Sequence, residues 1–148
     1  MKNHFVVIDT NVLVSGLISS NPSSPTSEIL NYLLANKGII TPLYNSEIYK
    51  EYKDVLHRPK FNFDPSTVDD ILERVQTIGI SCDRKPSKES FPDPKDVVFY
   101  EVALSKEDSF LVTGNIKHFP EVDFVVTPAE MVEIIKRNLR LGMEQTNW

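Results

Sequence analysis

The chain has 148 residues, 41% apolar and 25% charged, with 16 basic against 21 acidic side chains for a formal charge of −5. That length and balance fit one soluble globular domain burying about 70% of its unfolded surface, and exclude a disordered or fibrous chain. The acidic excess excludes a whole-molecule field that attracts nucleic acid, and the single Cys82 excludes an internal disulfide or a thiolate-built zinc site.

Residues 5 to 9, FVVID, are a strand-forming apolar run that ends on an aspartate with no turn residue between. NVLVSGLI, residues 11 to 18, begins a helix, and SSNPSSP, residues 19 to 25, is a loop too short to divide domains. PTSEILNYLLANKG follows, with Pro25 in the first turn, apolar positions 29, 30, 33 and 34, and Gly38 as the stop. A short strand, IITP, precedes SEIYKEYKDVLH, residues 46 to 57, which is helical by period and ends before Pro59. From Asp64 and Pro65 an amphipathic helix carries Val68, Ile71, Leu72, Val75 and Ile78 on one stripe. Gly79 closes it, and a short ISC strand follows.

The turn-rich RKPSKESFPDPK leads to a helix from about Asp96 to Lys106, the strand SFLVT, a GN turn, the strand FVVT and a last helix PAEMVEIIKRNL. Thr127, Pro128 and Glu130 supply its N-cap, first turn and capping-box glutamate. Residues 1–138 read as a single domain, and 139–148 as a C-terminal tail without a core pattern, left unassigned. Four to five short strands alternate with helices, and FVVI and FVVT are apolar on both faces. This predicts an α/β fold, a three-layer α/β/α sandwich with a central parallel sheet covered on each side. No apolar run approaches the roughly 20 residues that span a bilayer, and MKNHFVV lacks a signal peptide's apolar region, so a cytoplasmic location without membrane contact is expected.

Open parallel sheets bind ligands beyond the carboxyl ends of their strands, which is where Asp9 sits. The competing reading is a cap for the next helix. Glu51 falls on the apolar stripe of Ile48, Tyr52, Val55 and Leu56, with Glu47 one turn earlier on that flank. A Glu51 that snorkels to water or pairs with lysine is the alternative. Asp96 precedes Phe99 and Ala103 on the inward side of its helix, although a first-turn aspartate also suits the helix dipole. Asp93 reads as a turn residue between Pro92 and Pro94, with a secondary place in the site. Clustered carboxylates resist desolvation unless a cation joins them, and an oxygen-only donor set suits Mg²⁺ or Mn²⁺. Such an ion activates water and shields charge developing on a phosphodiester, which makes phosphodiester hydrolysis the expected chemistry.

Competing motifs are absent. The five glycines stand apart, so there is neither a Walker loop nor a dinucleotide fingerprint, and no GxSxG elbow occurs. His4 and His57 read as surface or packing residues, whereas His118 follows the SFLVT strand at the same sheet edge as Asp9.

VVIDTNVLVSGL, SEIYKEYKDVLHRPKF, DPKDVVFYEVAL, LVTGNIKHF and VVTPAEM, in that order from about residue 5 to 135, resemble the PIN-domain ribonucleases, particularly the toxin branch of toxin-antitoxin pairs. The resemblance implies a metal-dependent endonuclease site for single-stranded RNA, with Asp9, Glu51 and Asp96 as the catalytic acids that hold Mg²⁺ or Mn²⁺. Asn11 and Thr113 match small polar residues that orient ligands in that family. Asn115 and His118 stand where many members carry a fourth acid; Asn115 still offers a carbonyl oxygen, and Glu121 or Asp123 are alternative sources of the charge. Candidate RNA contacts are Arg58 and Lys60, the loop cations Arg84, Lys85 and Lys88, and Lys95 and Lys117, each of which also suits solvated surface. A small antitoxin protein and self-association as a homodimer are further implications. The missing acid supports a second expectation, a weakly active or inactive PIN-like module that binds RNA or protein.

Overall fold

The computed structural model describes residues 3 to 35 and 37 to 146, with side chains through residue 143. Among these residues five strands form one sheet: β1 (His4–Ile8), β2 (Ile40–Tyr44), β3 (Ile80–Ser81), β4 (Ser109–Val112) and β5 (Val125–Val126). Their order is β3-β2-β1-β4-β5 and every pairing is parallel. Six α-helices flank it among the described residues: α1 (Thr10–Ile18), α2 (Pro25–Leu34), α3 (Ser46–Leu56), α4 (Pro65–Ile78), α5 (Val97–Leu104) and α6 (Pro128–Thr146). Consecutive residues Val6, Val7 and Ile8 of β1, and Leu111 and Val112 of β4, are all buried. Since neighbours on a strand point to opposite faces, both faces of the sheet are covered, as their unbroken apolar runs require.

Strand order reverses at β1, with β2 and β3 to one side and β4 and β5 to the other. Right-handed crossovers then place the connections of the first half on one face and the return through α5 on the other. Accordingly α5 packs on β1, β2 and β4, while α2 packs on α1, α4, α6 and β2. The crevice beyond the carboxyl ends of β1 and β4 is therefore the switch point at which open sheets take ligands. Helix α3 meets both α1 and α5, so it lies at this rim, within reach of both layers.

Local chemistry explains most boundaries. Asn45 caps α3 by accepting the Ile48 N–H at 2.8 Å, and the Thr127 and Glu130 box closes in both directions, at 2.9 and 3.1 Å. Helix α2 ends at Leu34 with Ala35 as its C-cap, before the expected stop at Gly38, which takes φ +69° in the loop that leads to β2. Gly79 closes α4 as expected, with φ −79°, and glycine is needed because a Cβ there would stand 2.1 Å from the Val75 carbonyl oxygen. Helix α5 follows a 3₁₀ turn at Pro94–Asp96 and ends at Leu104, before the expected Lys106. The Ser105 and Ser109 hydroxyls take up the Val102 and Ala103 carbonyls there, at 2.6 and 2.9 Å. Helix α6 runs on to Thr146, through most of the stretch read as a tail. Leu141 and Met143 on it are exposed, which is why no core pattern marked the extension. Residues 147 and 148 of that tail lie outside the described residues.

Candidate active site

Asp9 follows β1 and occupies the N-cap position of α1, yet its carboxylate makes no capping hydrogen bond. It turns instead toward β4. Its Oδ2 accepts the Thr113 hydroxyl at 2.8 Å and the Asn11 Nδ2 at 3.3 Å. Asn11 Oδ1 in turn accepts the Gly114 N–H at 3.2 Å, and Thr113 Oγ1 accepts the Asn115 N–H at 3.0 Å. The DTN after β1 and the TGN after β4 are thereby stitched into one polar seam across the switch point. Asp9 is only 6% exposed. Burial pushes its pKa up to about 6; the Thr113 hydrogen bond opposes this, and the charges of Asp96 and Glu51 add to it.

Glu51 points inward from α3, as its place on the apolar stripe predicts, and its Oε2 accepts the Thr10 hydroxyl. Tyr52, next in sequence, is 1% exposed and donates its hydroxyl to the Ile8 carbonyl at the end of β1. These two bonds pin α3 to the strand that carries Asp9. Neither Thr10 nor Tyr52 was singled out from sequence: Tyr52 reads as an apolar stripe residue, and its bond to a strand end 44 residues away has no local signature.

Asp96 ends the 3₁₀ turn and opens α5, again without a capping bond. Its Oδ2 is buried and takes no hydrogen bond among the described residues. His118 Nδ1 lies 3.4 Å from that oxygen, a distance that gives electrostatic contact rather than a formed hydrogen bond. Burial raises the Asp96 pKa, Asp93 and Glu51 add to the rise, and His118 opposes it. Asp93 is the turn residue expected: its Oδ1 accepts the Lys95 N–H at 3.0 Å. Neither Asp9 nor Asp96 makes a capping hydrogen bond, the charges of Asp96 and Glu51 raise the Asp9 pKa, and that of Glu51 raises the Asp96 pKa.

Other candidates fall elsewhere. Glu47 is ion-paired with Arg84, its side chain 56% exposed, so it does not join the three acids. Arg84 spends its guanidinium on Glu47 and Glu101 and is not a free RNA contact. Asp123 borders a cavity with Phe5 and Ser109, the early residues of β1 and β4, which is the opposite edge of the sheet from Asp9. It therefore cannot supply a fourth acid. Arg58 and Lys60 are exposed in the turn after α3, where Lys60 Nζ stands 5.0 Å from the Phe61 ring centroid and Phe61 stacks on Phe63. Lys95 and Lys117 are exposed beside Asp96 and His118 in sequence, and Lys85, Lys88 and Glu121 are exposed as well. His4 is buried and His57 exposed; each binds a backbone carbonyl through Nδ1, of Ile39 and Lys53 respectively, consistent with structural roles.

A family model described as PIN domain matches residues 5 to 117. The chain belongs to the PIN-domain family. No curated protein and no solved structure gives a significant match. PIN domains are in general nucleases, and the match spans Asp9, Glu51, Asp96, Thr113 and Asn115, ending one residue before His118.

PIN domains typically use divalent ions, and the chemistry of this donor set fits one. It offers carboxylate oxygens only, one of them a buried Asp96 oxygen without a hydrogen bond, and an Asp9 whose charge burial disfavours. Those are the conditions in which a hard cation relieves the mutual repulsion of acids. In this conformation the side chains are not gathered around one point: among the described residues no group of three or more His, Cys, Asp or Glu could hold an ion. Thr10 engages Glu51, while Thr113 and Asn11 engage Asp9.

Proposed function

We propose that this PIN domain is a Mg²⁺- or Mn²⁺-dependent endoribonuclease that hydrolyses phosphodiester bonds of single-stranded RNA, and that it serves as the toxin of a toxin-antitoxin pair. The observation that carries the reading is that Asp9, Glu51 and Asp96, from three distant parts of the chain, lie near enough for the charges of Asp96 and Glu51 to raise the Asp9 pKa and for that of Glu51 to raise the Asp96 pKa. These three residues would hold the ion. When bound, it lowers the pKa of a water and neutralises charge developing on the phosphoryl oxygens. Thr113 and Asn11 fix Asp9 Oδ2, and Thr10 fixes Glu51, so two of the three acids are oriented before substrate arrives. The exposed Lys95 and Lys117 flank Asp96 and His118 in sequence and supply local positive charge against the acidic whole. The Arg58 to Phe63 turn adds cations and stacked rings of the kind that grip unpaired bases.

The toxin role, an antitoxin segment lying in the crevice, a homodimer and a cytoplasmic setting rest on the resemblance. Among the described residues no helix is long and apolar enough to cross a membrane. A short neighbouring reading frame with a DNA-binding pattern supports the toxin role; its absence from the locus counts against it. A direct test is cleavage of single-stranded RNA: the purified chain should cut with Mn²⁺ and not with EDTA, and Asp9→Asn should abolish cleavage with its circular dichroism unchanged. Equal cleavage by the variant refutes the assignment. The ungathered acids and the neutral Asn115 favour a second reading, an RNA- or protein-binding module with little turnover. Tight RNA binding without cleavage under any divalent ion decides for it.

A further inference from the structure

Glu51 and Asp96 come from different helical elements, so something must fix the distance between α3 and α5. One tie is apolar: the rings of Tyr52 and Phe99 lie 6.4 Å apart. The other is Arg84, on the irregular segment between β3 and the 3₁₀ turn. Its Nη1 reaches both oxygens of Glu47 on α3, at 3.1 and 2.9 Å. Its Nε and Nη2 reach Glu101 Oε1 on α5, at 2.8 and 2.7 Å. The second oxygen of Glu101 accepts the Ser87 N–H at 2.7 Å. Glu101 is 8% exposed, so its charge is anchored where it can relax little, and the planar guanidinium is the rigid element spanning the two helices.

We infer that Arg84 is a positioning residue for the acid cluster, a fork that sets the separation of Glu51 and Asp96 by holding α3 to α5. The inference rests on the nuclease reading above. Glu47 lies one turn before Glu51 on the same face of α3, so movement at one end of the fork is transmitted to the acid. Lysine cannot replace it, because a single ammonium cannot pair two carboxylates in this planar geometry. Outer residues that orient metal-holding side chains typically alter metal affinity by about 10- to 100-fold when removed, and the fork acts one residue further out.

The test is Mn²⁺ titration calorimetry on the full chain, wild type beside Arg84→Lys, Glu47→Asp and Glu47→Gln. Glu47→Asp keeps the charge but shortens the reach, and it leaves the buried Arg84 to Glu101 half intact. The expected result is a Mn²⁺ Kd raised about 3- to 10-fold in all three, with the metal-free melting temperature of Glu47→Asp within a degree of wild type, and kcat on RNA lowered at constant KM. An unchanged Kd in Glu47→Asp and Arg84→Lys overturns the inference, whether or not the melting temperature falls. Weakening in Glu47→Gln alone marks a charge effect without positioning and also overturns it. A wild type that binds no Mn²⁺ overturns the nuclease reading, and the inference with it.

Discussion

Replacing Asp9 by Asn should destroy cleavage and yet make the metal-free protein more stable at neutral pH. The folded pKa of Asp9 is about 6 against an ordinary value of 3.8. That gap corresponds to about 3 kcal/mol between its protonated and charged forms. Because the folded value is raised, the stability associated with the proton is fully present below pH 3.8 and is lost as pH rises through about 6. At pH 7.5 the wild type therefore carries about 3 kcal/mol of unfavourable charge that the amide lacks. Asn can still accept the Thr113 hydroxyl through its own carbonyl, so the hydrogen bond to β4 survives. The repulsion between Asp9 and the charges of Asp96 and Glu51 is already part of that gap, so it is removed with the carboxylate and not counted again. For a domain of this length the difference amounts to roughly 6 to 12 °C in melting temperature. Differential scanning calorimetry in EDTA from pH 4 to 8 reads it out: the two proteins should converge near pH 4 and diverge through pH 6, with Asp9→Asn higher. Parallel curves, or a variant less stable throughout, would falsify the picture of a buried, repelled carboxylate.

Mn²⁺ should nearly close that gap. At a hundred times its Kd, a ligand of the native state alone adds about 2.7 kcal/mol, so the wild type gains stability and Asp9→Asn gains little; an equal shift in both places the ion elsewhere. Tyr52→Phe leaves the Ile8 carbonyl without its donor and should lower stability by about 1 to 3 kcal/mol in urea melts, with no loss counting against the α3 anchor. Thr127→Ala opens the capping box of α6 and should destabilise by about 1 kcal/mol without changing RNA cleavage; a change in turnover would tie α6 to the site. Lys60→Ala should flatten the salt dependence of single-stranded RNA binding by about 0.7 in log-log slope if the ammonium neutralises one phosphate, and an unchanged slope removes the turn from the RNA path.

The sheet was legible because a parallel strand buried on both faces writes its whole length in apolar residues, as FVVI and SFLV do. Helix α3 was legible for the opposite reason, a period broken at one position: Glu51 stands where its stripe calls for an apolar residue. Three acids could be nominated in this way, each against a bland capping or surface alternative. Only coordinates show that Asp9 and Asp96 make no capping hydrogen bond and that the charge of Asp96 acts on Asp9. What the sequence hid are relations between side chains remote along the chain. Thr10 with Glu51, Tyr52 with Ile8 and Arg84 with Glu47 and Glu101 join residues from 17 to 44 positions apart, beyond any periodicity. Glu101 is the instructive exception. A glutamate inside VVFYEVAL is a charge within an apolar run, and the structure shows it buried and paired with Arg84.

These hidden contacts also bear on how the acids coexist without an ion. Like charges at a sheet edge would be expected to push α3 and α5 apart, because each is held to the sheet by apolar contacts that tolerate sliding. The polar ties oppose that movement at separate points. Tyr52 bonds to the strand end, Thr10 holds the Glu51 carboxylate, and Arg84 joins the two helices. Each tie takes a backbone carbonyl or a carboxylate as acceptor, so each grows stronger where water is excluded. A cluster supported in this way can keep its acids near one another while their charge is only partly relieved by protons, and it can give up those protons when a cation competes for the same oxygens. The arrangement therefore requires metal affinity to rise with pH through the range where Asp9 titrates, about pH 6. Mn²⁺ titrations at pH 5 and pH 7.5 should differ by at least tenfold in Kd, and equal affinities would place the bound ion away from Asp9.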